Sequence, residues 1–309
     1  MDGIVTEIMR FSLKDGPGIR TTVFLKGCNM ACKWCHNPET ISMQPQLMHY
    51  PDRCIGCGAC MEVCPRGALA TSASLAAGAT SASVVLDRAK CIACGACADH
   101  CYAGALVISG MRMSVVDIMS EVMQDIDYYR NSGGGLTIGG GEPACQPEFL
   151  RELLKEAKAA GIHTAIETNM HADWETYESI LPYLDLVMLD IKHSDDAEHA
   201  RWTGAGNAKL LENIRKITSI KPTFIRVPVI PGVNDSSAEI AKIASVAKGL
   251  NNIERIELLL YNPLGESKYE ALGIKDYRFR GTKPTPSEHA EELKKTAKTA
   301  SGNITVKIG

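Results

Sequence analysis

Eleven of the twelve cysteines in this 309-residue chain fall into three tight groups. Cys28, Cys32 and Cys35 are spaced C-x3-C-x2-C, and Cys54, Cys57, Cys60 and Cys64 are spaced C-x2-C-x2-C-x3-C. Cys91, Cys94, Cys97 and Cys101 repeat the second spacing, and Cys145 is left over. The N-terminal Met1–Val5 lacks the basic and apolar regions of a leader, and no apolar run approaches the roughly 18 residues of a membrane span. The compartment expected is therefore the cytoplasm, where disulfides are disfavoured. Thiols grouped in this way ask for another role, and metal ligation is the natural one.

The repeated run has the bacterial ferredoxin spacing, in which three cysteines grip one [4Fe–4S] cluster and the fourth turns to the other. One cluster would take Cys54, Cys57, Cys60 and Cys101, and the other Cys91, Cys94, Cys97 and Cys64. Gly58 and Gly95 let the short loops wrap. Pro65 follows the first run as usual, whereas Tyr102 stands in that place after the second. A zinc ribbon is the alternative reading of paired C-x2-C. The N-terminal trio offers only three ligands, so a cube held there keeps one iron open, as catalytic metal sites do. Cys145 is either a fourth ligand or a buried free thiol.

Composition narrows the function classes. A net charge of −3 and a pI near 6.3 provide no broad basic field for nucleic acid or an anionic membrane. Hydrophobic residues at 45% suffice for one large domain, with or without a small one.

Residues 3–12 and 20–27 read as strands joined by the turn Lys14–Gly18. Lys14 and Lys26 read equally well as solvated charges or as part of the site. Residues 50–110 form a compositional island holding both four-cysteine runs. Within it the uncharged stretch 68–85 reads as a padded loop with a short strand near Val84–Leu86. From Ser114 helix and strand patterns alternate: one helix over 114–130, a strand at 136–138, and a helix near 147–160. Further strands are expected at 163–167, 185–191, 223–229, 254–260 and 304–308. Ser236-x-x-Glu239 and Thr285-Pro286-x-Glu288 fit capping boxes.

This alternation implies parallel βα units. The expected architecture is α/β, a partial (β/α)6 TIM-like barrel (residues 1–49 and 111–309) with an inserted two-cluster ferredoxin-like domain (50–110). Chemistry in such folds gathers at the C-terminal strand ends. There the chain places Cys28, then Gly140-Gly141-Glu142-Pro143, Glu167-Thr168-Asn169, Asp190-Ile191-Lys192, Arg226 and Tyr261-Asn262 in succession. That succession points to one active site facing the three-cysteine loop.

With Trp34 before Cys35 and Gly140–Pro143 a strand later, the sequence resembles the radical S-adenosylmethionine enzymes. Asp15-Gly16-Pro17-Gly18-Ile19-Arg20 and Cys-Lys-Trp-Cys-His-Asn at 32–37 make it similar to the activating enzymes of glycyl radical enzymes, of the larger type with two extra clusters. The resemblance covers essentially the whole chain. It implies that Cys28, Cys32 and Cys35 hold a [4Fe–4S] cluster whose open iron chelates S-adenosylmethionine. Reductive cleavage would then give a 5′-deoxyadenosyl radical that takes a Cα hydrogen from a glycine of the partner. It implies that Trp34, His36, Gly140, Gly141, Glu142, Asp190, Ile191, Lys192, Arg226 and Asn262 surround the cofactor, and that Glu167 lies near a monovalent cation. Asp15, Gly16, Pro17, Gly18 and Arg20 would meet the incoming glycine loop.

The resemblance thus implies three [4Fe–4S] clusters, an anaerobic oxidoreductase, a glycyl radical enzyme as protein substrate, and an external donor such as flavodoxin or ferredoxin. A monomer is expected, since one chain holds every part. Two other functions remain open to the residues: an electron carrier, and a radical enzyme acting on a small molecule.

Overall fold

The computed structural model describes residues 1–71, 84–302 and 304–309. Most of the uncharged 68–85 stretch therefore lies outside the described residues, while its expected strand at Val84–Leu86 is present.

The strands are β1 (Asp2–Ser12), β2 (Arg20–Leu25), β3 (Gln46–His49), β4 (Leu69–Thr71), β5 (Val84–Leu86), β6 (Leu106–Ser109) and β7 (Met111–Ser114). They continue with β8 (Gly135–Gly140), β9 (His163–Thr168), β10 (Leu186–Asp190), β11 (Thr223–Val229), β12 (Ile253–Leu260) and β13 (Val306–Ile308). Among the described residues, nine strands form one open sheet in the order β13-β12-β11-β10-β9-β8-β2-β1-β7. From β2 to β13 every pairing is parallel. β1 and β7 close that edge antiparallel. Helices connect the parallel strands, as parallel pairing requires.

The parallel strands are apolar on both faces because helices cover them. Val23, Ile138, Ile166, Leu189, Ile225 and Leu258 belong to one buried core. The helix Pro147–Ala159 adds Phe149, Leu150, Leu153, Leu154 and Ala157 to it, the spacing of a single face.

Where one helix is expected over 114–130, two are found, Val115–Met123 and Ile126–Ser132. Asp125 causes the break. Its buried carboxylate accepts Arg10 Nε at 2.9 Å, Arg10 Nη2 at 2.5 Å and Thr21 Oγ1 at 2.9 Å. The first of the two helices starts with a capping box between Ser114 and Asp117 that the apolar pattern did not suggest. At the expected Ser236 box, Ser236 accepts from the Glu239 amide, but the Glu239 carboxylate turns to Ser194 instead. The expected Thr285 box does not form. That helix begins at Ser287 with Pro286 as its cap residue, and no side chain caps it.

Between β2 and β7 the chain builds a separate small unit. β3 pairs antiparallel with β6, and β4 with β5. The pairing starts at Gln46, so the unit reaches back beyond the expected boundary at residue 50. Leu47, Leu69, Val84 and Leu106 pack there around Cys60 and Cys97. Its two short helices, Ala59–Glu62 and Ala96–Asp99, each follow a glycine in the left-handed region, Gly58 at φ 81° and Gly95 at φ 88°. Lys26 anchors the exit and return of this unit and is not a solvated charge. It is fully buried, and its Nζ donates to the Glu39 carbonyl and to Gln46 Oε1 at 3.1 Å.

Candidate active site

The strand ends surround a cavity of about 900 Å³. Cys28, Cys32 and Cys35 line it together with Trp34, His36, Gly140, Gly141, Glu167, Asp190, Lys192, Arg226, Asn262 and Gly16. The strand-end succession read from the sequence thus closes on one space, at the end where α/β sheets place ligands.

The three-cysteine loop is held from several directions. Gly27, at φ +103°, turns the chain out of β2, and its amide donates to the Thr40 carbonyl at 2.7 Å. Ala31 and Lys33 amides donate to the Thr203 and Trp202 carbonyls, and Tyr269 Oη donates to the Cys35 carbonyl at 2.9 Å. Trp34 is buried in an aromatic cluster with Trp202, Tyr261, Tyr269, Tyr277 and Phe279. It therefore packs beneath the loop, while His36 stands 5.8 Å from the Tyr261 ring in an edge contact.

None of the cysteines is in a disulfide. Burial pushes the Cys28 thiol up to about 12, and burial likewise raises Cys32 and Cys35. Cys32 and Cys28 stand near enough to Cys35 to oppose its ionisation further, and the Lys192 ammonium works the other way on Cys28 and Cys32. Three mutually close, half-buried thiols ionise when a metal centre takes the charge. They fit a cluster with one open iron.

In the small unit each of the two buried thiols has neighbours from both four-cysteine runs. Burial raises Cys60, and the thiols beside it are Cys54, Cys101 and Cys57. Burial pushes Cys97 up to about 11, with Cys91, Cys64 and Cys94 beside it. Cys64, Cys91, Cys94 and Cys97 also line one cavity. Among the described residues no group of His, Cys, Asp or Glu side chains is arranged to hold a single metal ion. Each set of four thiols supplies the ligand type and number that a cube takes. Burial pushes the Cys145 thiol up to about 11.

The glycine pair permits close backbone approach. A Cβ on Gly141 would lie 2.2 Å from the Gly27 carbonyl oxygen, and one on Gly140 would lie 2.4 Å from that of Leu25. Glu142 does not line the cavity. It is fully buried and accepts Thr168 Oγ1 at 2.8 Å, the Asn169 amide at 2.7 Å and the Ala144 amide at 3.1 Å. Burial pushes its carboxyl up to about 7 against those donors. It fastens the glycine pair to the end of β9. Ile191 is also absent from the cavity wall, because its side chain lies in the core.

Lys192 Nζ donates to Asp190 Oδ2 at 2.5 Å, facing the trio. Burial opposes its charge, yet Asp190, Cys32 and Cys28 outweigh that and leave its pKa raised. Arg226 pairs with Glu167 and, at 2.9 Å, with Glu257, and its Nη2 donates to the Lys14 carbonyl at 2.6 Å. It is buried, and the two carboxylates outweigh desolvation and hold it charged. Glu167 is thereby neutralised by a guanidinium, which does not fit the expected monovalent cation. Asn262 caps the short turn Pro263–Gly265 and accepts from the Leu264 amide.

The 15–20 loop divides into a face and a foundation. Gly16 reaches the cavity. Asp15 Oδ2 accepts Ser12 and Thr22 hydroxyls, both at 2.7 Å. Arg20 does not face a partner. It is fully buried, and donates to Thr137 Oγ1 and the Leu136 carbonyl, both at 2.6 Å, and to the Pro17 carbonyl at 3.3 Å. Pro17 and Gly18 lie off the cavity wall; a Cβ on Gly18 would meet the Gly134 amide at 2.4 Å. Asn169, named in the strand-end succession but given no role there, lines the cavity. Its Nδ2 donates to Asn29 Oδ1 at 2.8 Å, beside Cys28. Its place directly after the β9 strand end was the available signal.

The chain is similar to known proteins along its whole length. Residues 93–244 match the Radical SAM superfamily, 53–105 a 4Fe-4S dicluster domain, and 14–75 a 4Fe-4S single cluster domain. The benzylsuccinate synthase activating enzyme of Thauera aromatica is 42% identical, over 98% of this chain and 92% of its own. The trans-4-hydroxy-L-proline dehydratase activating enzyme of Clostridioides difficile is 37% identical, over the whole of both chains. The fold is similar to that of Streptococcus suis SuiB, with TM-score 0.50 and 16% identity over 65% of this chain and 43% of that one. No helix among the described residues is long and apolar enough to cross a membrane. The three-thiol cavity and the whole-chain similarity agree, and the chain belongs to the glycyl radical enzyme activating enzymes of the radical S-adenosylmethionine superfamily.

Proposed function

We propose that Cys28, Cys32 and Cys35 hold the catalytic [4Fe–4S] cluster and that the cavity beside them holds S-adenosylmethionine. The convergence of the three half-buried thiols on that cavity carries this reading. With both bound, one electron cleaves the sulfonium–C5′ bond, and the 5′-deoxyadenosyl radical takes the Cα hydrogen of a glycine in the partner glycyl radical enzyme.

The chain's own residues orient and protect. Gly140 and Gly141 bring backbone against the amino end of the cofactor, and Lys192 meets its carboxylate by a charge-assisted hydrogen bond. His36 and Asn262 flank the adenosine side. Gly16 stands at the mouth, where the partner's glycine loop enters, and Arg20 supports that loop from behind. Arg226 already satisfies Glu167, so a monovalent cation is no part of the proposal.

The sheet is read as a partial barrel of residues 1–49 and 111–309. Residues 50–110 form an inserted two-cluster domain, bringing the total to three cubes. The crossed grouping of Cys54, Cys57, Cys60 and Cys101, and of Cys91, Cys94, Cys97 and Cys64, supports it. An external one-electron donor such as flavodoxin or ferredoxin feeds them, the chain acts in the cytoplasm, and it works as a monomer.

Iron counting tests the assignment. Reconstituted protein should hold roughly twelve irons, three cubes of four. Replacing Cys28, Cys32 and Cys35 together by Ala should leave about eight and abolish 5′-deoxyadenosine formation. Persistent cleavage in the triple variant would overturn the assignment.

A further inference from the structure

The short helix Glu266–Ala271 touches both the three-cysteine loop and the inserted unit. Toward the loop, Tyr269 Oη donates to the Cys35 carbonyl at 2.9 Å, and Lys268 Nζ donates to Asn37 Oδ1 at 2.7 Å and Glu39 Oε1 at 2.6 Å. Toward the insertion, Arg88 grips its end. Arg88 Nη2 donates to the Ala271 carbonyl at 2.5 Å, and Nη1 donates to the Leu47 carbonyl of β3 at 3.0 Å. Ala271 and Leu272 pack on Met48 and Tyr50 beside this joint. Gly273, at φ +75°, leaves room for the guanidinium: a Cβ there would stand 2.6 Å from Arg88 Nε.

Arg88 lies three residues before Cys91, where the second cysteine run starts. The planar fork of Arg suits two carbonyls at once in a way a lysine ammonium does not. One side chain therefore spans three bodies: the β3 edge, the start of the second run, and the helix whose tyrosine holds Cys35.

We propose that Arg88 is a positioning residue that clamps the Cys64, Cys91, Cys94 and Cys97 half of the insertion to helix Glu266–Ala271, so that electrons leave the insertion from that half. This rests on the two-cluster reading above. In each transfer the second-run cluster is oxidised by one electron and the open cluster is reduced by one. A low-potential, one-electron iron–sulfur protein donor restores the first. Transfer between such centres falls steeply with separation, so slack at this joint slows it.

Arg88 is exposed along much of its length, so its replacement leaves the core intact. Arg88→Ala and Arg88→Lys are compared with the unchanged protein by rapid-freeze electron paramagnetic resonance, with a reduced ferredoxin as donor. In Arg88→Ala, reduction of the S-adenosylmethionine-bound cluster slows by about tenfold, while reduction of the insertion keeps its rate; Arg88→Lys falls between. Hydrogen exchange at the Tyr269–Leu272 amides rises in step. With excess dithionite, which reaches the open cluster directly, all three form 5′-deoxyadenosine equally. An unchanged ferredoxin rate, or equal slowing with dithionite, overturns the proposal. Unchanged protein holding about four irons would instead overturn the two-cluster reading itself.

Discussion

Glu142 shows how a motif residue can serve a site without lining it. Its carboxylate satisfies one hydroxyl and two amides at the junction of Gly141 and β9. Glu142→Ala strands those buried donors, each worth about 1–3 kcal/mol. Chemical denaturation should show a loss of about 3 kcal/mol, with 5′-deoxyadenosine formation lost alongside, and Glu142→Gln should recover part of both. Arg226 makes a different prediction. Because it already pairs with Glu167, replacing potassium by a quaternary ammonium ion should change S-adenosylmethionine affinity by less than about twofold, or about 0.4 kcal/mol. Arg226→Ala should create a potassium dependence, measured by calorimetry at constant ionic strength. A strong dependence in the unchanged protein would contradict the geometry. At this scale the sequence showed residue types and strand-end positions well, since Cys28, Lys192 and Asn262 all reach the cavity. It did not show which way a side chain turns. Arg20 and Glu142 were expected at the surface of the site and lie behind it, because buried backbone donors and acceptors there need partners.

Among the elements, the paired helices after β7 carry the clearest physical lesson. Apolar spacing runs through residues 115–126 without interruption, so one helix was expected. Asp125 breaks it by turning inward to Arg10 and Thr21, contacts more than 100 residues away in sequence that no local pattern announces. Arg10→Ala leaves that buried carboxylate without its charge partner and should destabilise the protein near neutral pH. The Arg10 hydrogen bond holds Asp125 below the usual carboxylate range. The stabilisation is therefore present above about pH 4 and is lost as pH falls through the depressed value. Denaturation curves should show the unchanged protein and the variant converging at acid pH. A constant gap would remove the ion pair as its cause. The insertion was legible as an element because ligand spacing is strictly local. Its start at Gln46 was not, because β3 is defined only by pairing with β6.

For the whole molecule, the fold's work is convergence. Parallel strands deliver Cys28, Gly140, Glu167, Asp190, Arg226 and Asn262 to one cavity from positions spread across more than 230 residues. The alternation of helix and strand made that convergence readable, while the long-range joints, such as Arg88 with Ala271, needed coordinates. The relatives named above activate glycyl radical enzymes, and this chain has the thiols, the cavity and the mouth for the same chemistry. The central claim is the transfer of a hydrogen atom from a protein glycine to the cofactor's adenosyl group. The direct test mixes the reduced protein and S-adenosylmethionine anaerobically with candidate glycyl radical enzymes labelled with deuterium at glycine Cα. A glycine-centred signal by electron paramagnetic resonance is expected, with one deuterium in each 5′-deoxyadenosine formed. Sustained formation of unlabelled 5′-deoxyadenosine, with no glycine signal in any partner, would contradict it.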